Sequence, residues 1–127
     1  MLLEHVAINV SNPVKMADWY VEHCKMRIVL QVDKPPFTRF LADREGSTCI
    51  EIYNNTLAPI PDYQSQSHLV YHHAFSVEDP DLTRDDLIAA GASFVEEVNL
   101  PNGTRLIMLR DPWGIPLQLA KRHESWY

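Results

Sequence analysis

His72-His73-Ala74-Phe75-Ser76-Val77-Glu78-Asp79-Pro80 repeats the pattern of an earlier stretch, His5-Val6-Ala7-Ile8-Asn9-Val10-Ser11-Asn12-Pro13. His5 to His72 is 67 positions (72 − 5), and Ala7 to Ala74, Val10 to Val77 and Pro13 to Pro80 keep that spacing. Carried further, the same offset lays Ile50-Glu51-Ile52 on Leu117-Gln118-Leu119. The chain reads as a tandem duplication with no net insertion between its halves. Each half then shows one histidine opening its first strand and one long carboxylate or carboxamide in its last.

Successive side chains of a strand point to opposite faces. Val6, Ile8 and Val10 therefore share one face while His5, Ala7 and Asn9 share the other. In the second copy His73, Phe75 and Val77 form a bulky face, and His72, Ala74 and Ser76 a polar face of small residues. Ile50 and Ile52 oppose Glu51, and Leu117 and Leu119 oppose Gln118. Each half is expected to be a half-covered sheet, apolar under a helix on one side. The other side is lined by His5, Glu51, His72 and Gln118, with small neighbours that leave room for a ligand.

The 127 residues amount to one domain, enough to bury a core and too few for two independently stable domains of ordinary size. A net charge of −6 and the lack of any Lys/Arg run speak against a nucleic-acid footprint, which needs a clustered basic face, and leave small molecules as the expected partners. The two cysteines, Cys24 and Cys49, have neither CxxC spacing nor the density of a secreted scaffold, which implies a reducing cytoplasm. No charged segment precedes an apolar run at the start, and no apolar stretch is long enough to span a bilayer. A soluble protein without a membrane partner is expected.

Taken in order, residues Leu2 to Val10 read as a strand, and Ser11-Asn12-Pro13 as a helix start with a capping side chain and proline at the first helical position. The helix should run to about Cys24, with Met16, Trp19 and Tyr20 forming its sheet-facing stripe. Strands follow over Arg27 to Val32, Phe37 to Ala42 and Thr48 to Tyr53, separated by Lys34-Pro35-Pro36 and a polar turn from Asp43 to Ser47. Module 1 thus covers about 1–54, a connector 55–67, and module 2 about 68–122 of a single domain. The second module should hold a strand over Leu69 to Val77, a helix capped by Glu78-Asp79-Pro80-Asp81 and stopped by Gly91, and strands over Ser93 to Val98, Arg105 to Leu109 and Ile115 to Ala120. Pro101-Asn102-Gly103 and Asp111-Pro112-Trp113-Gly114 are the turns between them. The last residues, to Tyr127, form a polar tail.

This pattern resembles the vicinal oxygen chelate superfamily of glyoxalases, bleomycin-resistance proteins and extradiol dioxygenases. The matching stretches are Leu3-Glu4-His5-Val6-Ala7-Ile8-Asn9-Val10, Tyr71-His72-His73-Ala74-Phe75-Ser76-Val77, Leu87-Ile88-Ala89-Ala90-Gly91 and Asp111-Pro112-Trp113-Gly114-Ile115-Pro116-Leu117-Gln118-Leu119. The last is the most distinctive. The resemblance implies an α+β fold of two tandem βαβββ modules forming a cupped mixed sheet around a metal and substrate cavity. It also implies a homodimer with the site at a module interface. Its metal positions fall on His5, Glu51, His72 and Gln118. Most catalytic relatives carry glutamate in the last position; Gln118 cannot take a proton near neutral pH, though its oxygen can still ligate a cation.

For a lone histidine at a strand end, solvation or an ordinary hydrogen bond is the usual role. Two at equivalent repeat positions favour a ligand pair instead. His73 belongs by parity to the helix-covered face and reads as a packed core residue, while His23, His68 and His123 receive no function. Glu51 sits mid-strand, where an ionised carboxylate is costly unless paired or metal-bound. Arg39 and Arg105 are read as solvated surface residues, with contact to an anionic substrate as the alternative; Trp113 and Tyr53 are read as packing. Two histidines with a carboxylate suit Zn, Ni, Mn or Fe as the divalent ion. The expected function is a metal-dependent enzyme of lyase or isomerase type on a small oxygenated substrate, with Glu51 as the catalytic group. The competing expectations are a non-catalytic binding protein of the bleomycin-resistance type and, third, an extradiol-type dioxygenase.

Overall fold

A computed structural model describes residues 3–46 and 49–126. Leu2, Ser47, Thr48 and Tyr127, which the expected first strand, turn, fourth strand and tail include, lie outside the described residues. The chain divides into two compact units, one ending at Pro61 and the other beginning at Asp62. The first holds β1 (His5–Asn9), α1 (Pro13–Cys24), β2 (Arg27–Gln31), β3 (Arg39–Ala42) and β4 (Cys49–Tyr53). The second holds β5 (His73–Ser76), α2 (Pro80–Ala89), β6 (Ser93–Asn99), β7 (Arg105–Arg110) and β8 (Pro116–Lys121). Both are βαβββ modules.

Each unit carries one mixed sheet that does not close into a barrel, ordered β1-β4-β3-β2 in the first and β5-β8-β7-β6 in the second. β1 runs parallel to β4, and β5 to β8. The duplication is written in the hydrogen-bond ladders. Ala7 pairs with Glu51 and Ala74 with Gln118, both partners displaced by the same 67 positions (74 − 7 and 118 − 51). Both edge hairpins break register at matching places, between Ile28 and Leu30 and between Phe94 and Glu96, an offset of 66 (94 − 28). Phe40 opposes Glu51 and Met108 opposes Gln118, an offset of 68 (108 − 40). The offset thus runs 67, 66, 68 and again 67; shifts of −1, +2 and −1 cancel, so the halves return to step.

The helix boundaries follow from capping chemistry. Asn12 accepts from the Lys15 N–H at 3.1 Å, and Asp79 from the N–H groups of Asp81 and Leu82 at 3.1 and 3.0 Å; each cap is followed by proline. Gly91 ends α2 at φ 102°, a left-handed turn that favours glycine. In α1 Lys25 takes this place at φ 57°, and its N–H and that of Met26 both reach the Tyr20 carbonyl.

Pro13, Met16, Ala17, Trp19 and Tyr20 are the buried face of α1, which packs on β2, β3 and β4 against Leu41 and Ile52. Leu87 of α2 joins Ile107, Leu109, Leu117 and Leu119 under β6, β7 and β8. Full burial of one such aliphatic side chain contributes about 1.5–3 kcal/mol. The closing turn is built around the buried Asp111, whose carboxylate accepts from the N–H groups of Trp113 and Ile115 at 2.9 Å each. Arg110 donates to the Tyr63, Gln66 and Gly114 carbonyls and so ties residues 63–66 to that turn.

The strands expected over Leu69 to Val77 and Phe37 to Ala42 start later than their apolar patterns. Leu69 and Val70 form a turn and stay 78% and 74% exposed, because Ser67 takes the Leu69 N–H on its hydroxyl and the Val70 N–H on its carbonyl. The strand starts only at His73. Phe37 lies at φ 58° with its N–H bound to Lys34, so β3 starts at Arg39. Among the described residues no helix is long and apolar enough to cross a membrane.

Candidate metal and ligand site

His5 opens β1 and Glu51 sits mid-way along β4, the strand beside it. Ala7, two residues after His5, is the register partner of Glu51, so all three share a face, and the Ala7 methyl leaves the imidazole free to lean toward the carboxylate. Nε2 of His5 lies 3.3 Å from Oε2 of Glu51, with side chains 35% and 19% exposed. Phe40 of β3 sets its ring edge-to-face against the imidazole at 5.3 Å. On its other nitrogen, Nδ1, His5 meets a carboxylate oxygen of Glu4. That hydrogen bond lifts the imidazole pKa above its ordinary 6.5; partial burial opposes the shift, and the charges of Glu4 and then Glu51 add to it.

The His5–Glu51 separation fits a cation. Donors each about 2.1 Å from one ion at a tetrahedral angle stand about 3.4 Å apart. The pair supplies one imidazole and one carboxylate, a donor set suited to zinc, nickel, manganese or iron. Among the described residues no group of three or more His, Cys, Asp or Glu side chains is placed to hold a metal ion. His5 and Glu51 thus bring two donor atoms to within 3.3 Å of each other in the first unit.

In the second unit Gln118 is half-buried in β8 between Ala74 and Met108. His72 is exposed one residue ahead of β5, with Nδ1 3.0 Å from the His68 carbonyl. A carbonyl oxygen only accepts, so Nδ1 is the donor of that bond.

His73 packs edge-to-face on Phe75 at 5.6 Å and has Tyr71 at 6.1 Å. Burial pushes its pKa down to about 4, with the neighbouring His72 adding a smaller push. It is a neutral packing residue, as its parity implies.

His68, given no function from the sequence, places Nε2 2.8 Å from Glu96 of β6. Glu96 opposes Met108, which opposes Gln118, so this contact borders the Gln118 face. The irregularity after Phe94 shifts the parity of β6 and hid that placement.

Neither arginine is a solvated surface group. Arg39 is 5% exposed; it donates to the carbonyls of Val32, Phe37 and Thr38 and pairs with Asp33 at 2.8 Å, closing the β2–β3 loop. Arg105 grips Asp81 at the start of α2 and Glu97 of β6, and its hydrogen bonds hold both carboxyl groups below their usual pKa. These side chains are spent on structure. Tyr53 and Trp113 are half-buried. A cleft of about 400 Å³ opens at the start of α1, between Asn12, Phe37 and Asn54, and holds none of the four candidate ligands.

No curated protein matches the chain. Solved structures do. A glyoxalase family protein from Bacillus cereus is similar with a TM-score of 0.80 at 21% identity, over 95% of this chain and 93% of its own. A glyoxalase family protein from Enterococcus faecalis is 28% identical over 92% and 94%, with a TM-score of 0.67. An antibiotic binding protein from a Streptomyces species is 18% identical over 95% of each chain, with a TM-score of 0.72. The model of the Glyoxalase/Bleomycin resistance protein/Dioxygenase superfamily matches residues 2–119, and with its ladders repeated in two βαβββ modules the chain belongs to that superfamily.

Proposed function

We propose that the protein is a divalent-metal-dependent enzyme of lyase or isomerase type acting on a small oxygenated substrate. His5, Glu51, His72 and Gln118 are its metal ligands. The observation that carries this reading is the 3.3 Å approach of His5 Nε2 to Glu51, a half-buried mid-strand carboxylate set between Ala7 and Phe40. A bound divalent ion would stabilise an oxyanion or enolate of the substrate. Glu51 is the proton acceptor of the site, since the carboxamide of Gln118 is not basic. Ala7 and Ala74 keep the faces beside Glu51 and Gln118 open to substrate. We further propose a homodimer in the cytoplasm, a compartment suited to the sparse cysteine content.

The test is metal analysis of protein purified without chelator, beside His5→Ala and Glu51→Ala. Bound zinc, nickel, manganese or iron in the wild type and its loss from both variants support the reading. Equal metal content in all three proteins overturns it.

Gln118 favours a second reading, a small-molecule binding protein without catalysis, and the similar Streptomyces protein is described as antibiotic binding. A small molecule that raises the melting temperature equally with and without chelator would select this reading over the first.

A further inference from the structure

We infer that Glu4 is a positioning residue for His5: its carboxylate holds Nδ1, so that Nε2 is the nitrogen offered to a divalent ion beside Glu51. The inference rests on the metal-binding reading above and deepens it.

An imidazole ligand must present one nitrogen and protonate the other, and the acceptor at the second nitrogen decides which is which. The two repeat histidines are held alike. His72 gives Nδ1 to the His68 carbonyl at 3.0 Å, and His5 gives Nδ1 to the Glu4 carboxylate. Each anchor comes from the segment just upstream, within the same unit. They differ in charge, because a carboxylate acceptor makes the opposite nitrogen more electron-rich than an amide carbonyl does. The first module, with the only carboxylate of the four proposed ligands, thus also carries the stronger anchor.

Local structure explains how adjacent residues can do this. Side chains at consecutive strand positions face opposite ways, but β1 starts at His5, so Glu4 precedes the pleat and can fold back over the ring. The Glu4 side chain is 75% exposed and fills no core space. It can be changed without leaving a cavity.

The test titrates zinc into chelator-stripped protein at one pH by calorimetry, comparing wild type, Glu4→Ala and Glu4→Gln. Glu4→Ala should bind about ten- to a hundredfold more weakly. Glu4→Gln should recover part of that loss, because a carboxamide oxygen still accepts from Nδ1–H. In the zinc-loaded wild type the His5 Nδ1–H proton should be visible by NMR, and it should vanish in Glu4→Ala. Melting in chelator should be alike for all three proteins. A wild type that takes up no zinc, nickel, manganese or iron brings down the metal reading and this inference together. Metal uptake by the wild type with an unchanged affinity and Nδ1–H signal in Glu4→Ala overturns the role of Glu4 alone.

Discussion

Glu51 and Gln118 stand at one register position in two equivalent sheets: Glu51 between Ala7 and Phe40, Gln118 between Ala74 and Met108. One is an anion and the other is neutral. If both are ligands, the centre holds a dication with a single negative donor. Gln118→Glu replaces a carboxamide by a carboxylate of nearly equal size, so packing against Met108 should be kept. The expected result is zinc affinity higher by about tenfold or more, equivalent to about 1.4 kcal/mol. Calorimetric titration checks it, and unchanged affinity would place residue 118 outside the centre.

Arg39 binds three carbonyls and one carboxylate from a site 5% exposed. Arg39→Met keeps much of the volume but leaves the Val32, Phe37 and Thr38 carbonyls without that donor. A loss of about 1–3 kcal/mol is expected by urea denaturation. Arg39→Lys should recover little, since an ammonium lacks the planar spread of donors that reaches these oxygens.

Gly114 lies at φ 85°, and a Cβ there would come 2.9 Å from the backbone nitrogen of Gln64 and 3.0 Å from its Cα. The obstacle is main chain, which Arg110 holds in place through Tyr63 and Gln66. Gly114→Ala therefore combines an unfavourable backbone conformation with a contact that cannot relax cheaply. The expected cost is about 2 kcal/mol or more. A melting temperature equal to that of the wild type would show that residues 63–66 are not held as described.

The duplication was legible because His5/His72, Ala7/Ala74 and Glu51/Gln118 keep one spacing, and the parallel ladders preserve it. The departures to 66 and 68 were not, since shifts of −1, +2 and −1 residues leave no trace in the net offset. Leu69 and Val70 have strand-like side chains, but the hydroxyl and carbonyl of Ser67 took their amides. His5 with Glu51 could be anticipated from alternation. Glu4 with His5 could not, because alternation treats neighbours as facing apart and Glu4 stands just outside the strand.

His73 gives the fold an acid sensitivity of its own. Its pKa is lowered to about 4 by burial against an ordinary value of 6.5, so the folded chain keeps the ring neutral where the unfolded chain protonates it. Between pH 6.5 and about 4 the unfolded state binds the additional proton, and stability falls as pH falls; above 6.5 both states are neutral and the term vanishes. Each unit of that depression corresponds to about 1.4 kcal/mol. His73→Phe has no proton to bind and should still pack edge-to-face with Phe75. Denaturation midpoints measured from pH 8 to pH 4 should therefore fall less steeply in His73→Phe than in the wild type, with the two slopes converging above pH 7. Parallel curves over the whole range would mean that His73 charges as readily in the folded chain as in the unfolded one, and that the packing on Phe75 and Tyr71 does not keep water from the ring.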